Sequence, residues 1–230
     1  MGKKIAFRKK IYNHSELIGD SICTVNLDGS GLSNLYYMDK YFDNLLTLTE
    51  WSPDGTKFAF HTNNPNYYFY PDSVGFINAD GFILLAKGSN PHWSLDGTQL
   101  YFYNANAMMS ITISSHTIRK LADLPENTDG FYQWSPDYKK IVCSDGYKTG
   151  NNGGNIYLIN IESNETAKLA NCSFYTGNFC WSSDGRTIAY ISGPRDFKII
   201  NSDGSDKITF SVGQEVLDPD HLWISSLDWH

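Results

Sequence analysis

One ten-residue string occurs four times in this chain. It reads Trp51-Ser-Pro-Asp-Gly-Thr-Lys-Phe-Ala-Phe60, Trp93-Ser-Leu-Asp-Gly-Thr-Gln-Leu-Tyr-Phe102, Trp134-Ser-Pro-Asp-Tyr-Lys-Lys-Ile-Val-Cys143 and Trp181-Ser-Ser-Asp-Gly-Arg-Thr-Ile-Ala-Tyr190. Successive tryptophans are 42, 41 and 47 residues apart, and Trp229 follows 48 residues after Trp181. A period of this size marks a repeat architecture, in which each unit is one supersecondary element that buries its faces against its neighbours. The continuation missing after Trp229 is found at the other end, where Lys3-Lys4-Ile5-Ala6-Phe7 reads like Thr56-Lys57-Phe58-Ala59-Phe60. Joining the ends gives five units that account for all 230 residues.

A second motif lies inside the units: Asn26-Leu-Asp-Gly29, Asn78-Ala-Asp-Gly81 and Asn201-Ser-Asp-Gly204, with degenerate forms at Asn160 and Ser114. In both motifs the Asp carboxylate accepts from nearby backbone amides, and Gly supplies the positive φ of a tight hairpin. Tyr138 stands where the other repeats have Gly, which predicts a slightly different turn there. The segments between turns alternate apolar and polar, as in Ile156-Tyr-Leu-Ile-Asn160, and so read as strands. Each unit therefore holds four strands, one ending at the Trp and three following it. The fold expected is all-β: a single domain over 1–230, a five-bladed β-propeller of four-stranded antiparallel blades. The repeat units are 51–92, 93–133, 134–180, 181–228, and 229–230 with 1–50. A strand around Trp223–His230 is expected to share a blade with the N-terminal strands and close the ring.

Composition narrows the partners. The chain is 41% hydrophobic and 19% charged with a net charge of −7, the profile of a folded globular chain. That acidic balance excludes a phosphate-neutralising nucleic-acid binder. No apolar run is long enough for a membrane-spanning helix, so no membrane insertion is expected. The first residues lack the apolar core of an export signal; a trimmed envelope or periplasmic protein would read the same way. No cofactor or metal motif is present, and a monomer is expected.

The Trp-Ser-x-Asp-Gly repeats resemble the WD-like propeller repeats of TolB and its relatives, also found in the propeller domains of some peptidases. The resemblance covers essentially the whole chain and implies a propeller fold. TolB propellers have six blades, against five units here, and no Gly-x-Ser-x-Gly nucleophile elbow of a peptidase occurs.

Two groups of residues are candidates for function. The residue before each Trp is polar or ionisable: Glu50, His92, Gln133, Cys180 and Asp228. On innermost strands these line a central channel, either as hydrated structural groups, as two carboxylates for acid–base work, or as His, Cys and carboxylates around a metal. The second group comes from the variable loops, which gather at the end of the blades opposite the stereotyped turns. Tyr37, Tyr41, Tyr67, Tyr68, Tyr70, Tyr132, Tyr175 and Trp223 lie there. Aromatic side chains on loops of a rigid scaffold suit recognition of a protein, peptide or glycan. The function expected is accordingly non-catalytic recognition or scaffolding. The alternatives are a glycoside-processing enzyme using channel-mouth carboxylates, or a piece of a larger TolB-like propeller protein. The run Arg8-Lys9-Lys10 reads as a solvated strand end, and Cys23 and Cys143 read as buried small hydrophobes.

Overall fold

The computed structural model describes residues 4–39, 46–62, 72–126, 128, 132–145, 154–172, 179–192 and 196–211. Among them there is no helix, and nineteen strands form five antiparallel sheets. The first sheet has three strands, β1 (Lys4–Asn13), β2 (Glu16–Asn26) and β3 (Ser33–Asp39), in that order. The second comprises β4 (Leu46–Trp51), β5 (Phe58–Thr62), β6 (Ser73–Asn78) and β7 (Gly81–Lys87). The third comprises β8 (Ser89–Trp93), β9 (Gln99–Asn104), β10 (Ala107–Thr112) and β11 (Ile118–Asp123). The fourth runs through β12 (Tyr132–Trp134), β13 (Lys140–Ser144), β14 (Gly154–Asn160) and β15 (Thr166–Cys172). The fifth is β16 (Phe179–Trp181), β17 (Thr187–Ile191), β18 (Asp196–Asn201) and β19 (Ile208–Ser211). In every sheet the strands follow chain order from one edge to the other, the meander of a propeller blade. The fold is thus the five-sheet, all-β propeller class expected from the repeats. The strand expected around Trp223–His230 lies outside the described residues.

The chain divides into two compact units, Met1–Ala105 with Met109–Arg119, and Asn106–Met108 with Lys120–His230. Within the first unit Trp93 is buried in a cluster that joins Ala59, Val74 and Phe76 of one sheet to Leu100, Phe102 and Ile111 of the next. Ile22 of β2 packs on Phe60 and Ile77 in the same way. Within the second unit Trp181 holds the corresponding place between Val142, Ile156 and Leu169 and its own sheet's Ile188, Tyr190 and Ile200. The repeated Trp is therefore an apolar plate between consecutive sheets, where a large ring removes much surface from water at a single position. Gly75 makes room for such packing, because a Cβ there would meet the Ile83 carbonyl oxygen at 2.1 Å and the Phe60 ring at 2.8 Å.

The four repeated turns are built alike. In the first, Ser52 Oγ donates to Asp54 Oδ1 (2.6 Å) and accepts the Lys57 N–H (2.9 Å), while Asp54 Oδ1 also accepts the Thr56 N–H (3.0 Å). The same bonds recur at Ser94–Asp96 with Thr98 and Gln99, at Ser135–Asp137 with Lys139 and Lys140, and at Ser182–Asp184 with Arg186 and Thr187. The spacing follows from chemistry: a one-carbon hydroxyl and a short carboxylate two residues on fill the inside of the hairpin with no water needed. Gly55 takes φ +68° at the corner. Tyr138 takes φ +57°, so the different turn expected there is not found. The backbone is held in the left-handed region by the same Ser135–Asp137 bonds, and the Tyr138 ring rests 5.7 Å from that of Trp134.

The Asn-x-Asp-Gly turns divide into two kinds. At Asn26 and Asn201 the Asp accepts from a Ser two residues on, Ser30 and Ser205 (both 2.9 Å). At Asn78 and Asn160 no hydroxyl follows at that distance, and the Asn side chain itself accepts the N–H groups two and three residues ahead.

Candidate functional site

β4 and β8 are edge strands of successive sheets and touch one another. Glu50 and His92 sit one residue before the Trp on each. The Trp93 backbone N–H donates to Glu50 Oε1, and His92 Nδ1 stands 3.6 Å from the same oxygen. Both side chains are about one-third exposed, at 32% and 33%. In the second unit β12 and β16 are paired similarly, with the Trp181 indole N–H donating to the Gln133 carbonyl oxygen at 3.3 Å. Gln133 is exposed and Cys180 half-buried. The pre-Trp positions thus carry sheet-to-sheet ties as well as polar surface. Asp228 lies outside the described residues.

Of the loop-end aromatics, Tyr37 and Tyr132 are described. Tyr37 on β3 is 51% exposed, and its hydroxyl donates to the Ile18 carbonyl oxygen at 3.2 Å. Tyr12 at the end of β1 adds a second exposed ring, at 58%. Tyr132 belongs to β12 rather than to a loop and is buried, which removes it from any presented surface. Its place opposite Cys143 in the β12–β13 ladder turns the ring into packing. Tyr41, Tyr67, Tyr68, Tyr70, Tyr175 and Trp223 lie outside the described residues.

Two polar centres escaped sequence reasoning. Asp145 follows β13 and accepts the Asn155 N–H (2.6 Å), Asn155 Nδ2 (2.8 Å) and the Tyr157 hydroxyl (3.0 Å). Burial pushes its carboxyl up, but these three donors outweigh it and hold the group below its ordinary range. Asp20, on β2, is 1% exposed and takes both Arg8 Nε (2.7 Å) and Arg8 Nη2 on Oδ2. Arg8 is therefore an internal partner rather than part of a solvated strand end, whereas Lys9 and Lys10 are exposed. The β1–β2 register, which sets Arg8 against Ile22 and Lys10 against Asp20, creates that diagonal pair. The only sequence signal was an Asp between the apolar pairs Leu17-Ile18 and Ile22-Cys23.

Cys23 and Cys143 are buried, as expected, and burial pushes the Cys143 thiol up to about 12, which leaves it inert as a nucleophile. His61 is held below its ordinary range by burial, with Asp72 partly offsetting. Among the described residues no group of three or more His, Cys, Asp or Glu is placed to hold a metal ion, and no helix is long and apolar enough to cross a membrane.

No family model matches the chain, and no curated protein matches it. Solved structures do. TolB from Acinetobacter baumannii superposes with a TM-score of 0.55 at 18% identity, over 84% of this chain and 49% of that one. An oligogalacturonate lyase from Vibrio parahaemolyticus gives 0.58 at 14%, over 90% and 60%. A prolyl endopeptidase gives 0.58 at 11%, over 91% and 34%. The likeness is one of fold. The chain spans one-third to three-fifths of the length of these structures.

Proposed function

We propose that this chain is a non-catalytic recognition module whose sheets hold a Tyr-rich loop end against a protein, peptide or glycan. The observation that carries this reading is Tyr37. It presents half of its ring to solvent at a sheet edge, yet its hydroxyl is fixed by a backbone carbonyl. A pre-oriented, exposed aromatic gives contact area at small entropic cost. Tyr41, Tyr67, Tyr68, Tyr70, Tyr175 and Trp223 are assigned to the same surface. The alternative of glycoside processing needs Glu50 as an acid or base, and one oxygen of that carboxylate accepts the Trp93 N–H.

Thermal melting against a panel of short peptides and oligosaccharides tests the proposal. A ligand at about 100 times its dissociation constant adds roughly 2.7 kcal/mol, an easily read rise in midpoint. The rise is expected in the native chain and absent in Tyr37→Ala. A ligand that stabilises both equally, or is turned over, would overturn the reading.

A further inference from the structure

We propose that Lys9, Ser21 and Tyr37 form a subsite for a peptide carboxylate flanked by an apolar side chain. This rests on the recognition role given to Tyr37 and names the chemistry of its partner. In the β1–β2 ladder Lys9 stands opposite Ser21, and in the β2–β3 ladder Ser21 stands opposite Tyr37. Directly opposite residues of antiparallel strands share a face, so the three make one row across the first sheet, with about 5 Å between neighbours. Ile22, the next residue of β2, packs on Phe60 and Ile77 of the second sheet, so the row lies on the other face. Lys9 and Tyr37 are exposed, whereas Ser21, short between two long side chains, is 1% exposed. Among the described residues its Oγ has no hydrogen-bond partner. A buried hydroxyl left unpaired is costly and calls for an explanation. Donation to a ligand carboxylate supplies one.

Charge selects the same ligand. β1 reads Lys4-Ile-Ala-Phe-Arg-Lys-Lys-Ile-Tyr-Asn13, four basic residues and no acidic one, in a chain of net charge −7. Arg8, opposite Ile22 on the face toward the second sheet, is committed to Asp20, and Lys9 is the cation of the row. Phe7, two residues along β1 on the same face as Lys9, is 37% exposed. A carboxylate accepts from Lys9 Nζ and Ser21 Oγ, charge-assisted bonds that outweigh neutral ones. An apolar side chain beside it then covers the rings of Phe7 and Tyr37. Lys9, being exposed, changes rotamer freely, which opens the row to a ligand.

Calorimetric titration of three short-peptide pools into the full chain tests this. The first is Gly-X-Glu-X-Gly with both ends blocked and X drawn from Phe, Leu and Val. The second has Gln for Glu. The third also carries Gln but ends in X with a free carboxylate. The first or the third is expected to bind at least about tenfold more tightly than the second, and which of them does so tells a side-chain carboxylate from a terminal one. That margin should vanish in Lys9→Ala and shrink in Ser21→Ala. It should survive in Lys9→Arg, and in Lys4→Ala, whose lysine lies on the other face. A melt of each variant establishes that it folds. Tyr37-dependent binding of the second pool as tight as that of the others would overturn the carboxylate subsite and leave recognition at Tyr37 standing. A margin that persists in Lys9→Ala would do the same. Binding of no pool, or binding unchanged in Tyr37→Ala, would overturn both.

Discussion

Asp137 and Asp145 stand just before and just after β13, and their carboxylates do similar work. Asp137 braces the turn that enters the strand by accepting from Ser135 and the Lys139 N–H. Asp145 ties the end of β13 to β14 by accepting from Asn155 and Tyr157. The first arrangement is repeated in four sheets with almost the same distances, while the second is specific to its own sheet. Among the described residues the turn end is thus a standard part, while the Asp145 end of the fourth sheet is built individually. Function diversifies where local structure is free to differ, and the recognition proposed above would use such individually built strand ends.

The largest expected effect tests whether the standard end is built on its Trp. Trp93→Ala should cost about 3–5 kcal/mol, because the ring is 2% exposed and spans two sheets. Trp51, only partly buried, should cost distinctly less. Chemical denaturation compares the two, and equal losses would break the assignment of the Trp as an inter-sheet plate. Next, Asp145→Ala should destabilise by about 2 kcal/mol through the loss of charge-assisted hydrogen bonds. A loss below that of Asp137→Ala would show that the individual end is the weaker of the two.

Acid should act on both ends together. Hydrogen bonds from Ser52, Ser94 and Ser182 hold Asp54, Asp96 and Asp184 below their ordinary range. At Asp137 burial opposes the shift, and the bonds from Ser135 and Lys139 outweigh it. A carboxyl depressed in the folded state contributes stability above its unfolded value of about 3.9, and that stability is lost as pH falls through the folded value. The melting midpoint should therefore hold from neutral pH down to about 5 and drop below about 4. A drop beginning near pH 6 would point to histidines instead.

The smallest effect sharpens the reading of the odd turn. Tyr138→Gly relieves left-handed strain of about 1 kcal/mol but loses the contact with Trp134, so its net effect should stay within about 1 kcal/mol. Gly185→Ala, at φ +68° with no such compensation, should be clearly destabilising.

What could be read in advance follows the same division. The Ser-x-Asp turns and the Trp plates were legible because four copies in one chain reveal a shared physical requirement. Tyr138 misled because Gly is the usual residue at positive φ, although the Ser135–Asp137 bonds enforce that geometry on Tyr. Asp145, Asp20 and the Glu50–Trp93 tie were not legible. Each depends on the register of paired strands or on contact between sheets, and single copies carry no periodic signal. Tyr132 looked like a loop residue because β12 is only three residues long.

On the proposed reading, stability and recognition lie at opposite ends of the sheets. Calorimetric titration of the panel ligand into Tyr37→Ala and Asp137→Ala, with the melt of each, tests it most directly. Tyr37→Ala is expected to keep its melt and lose affinity by tenfold or more, roughly 1.4 kcal/mol. Asp137→Ala is expected to melt earlier and bind as before. If Tyr37→Ala binds normally, or if the turn variant loses affinity while folded, the two ends are not divided in this way.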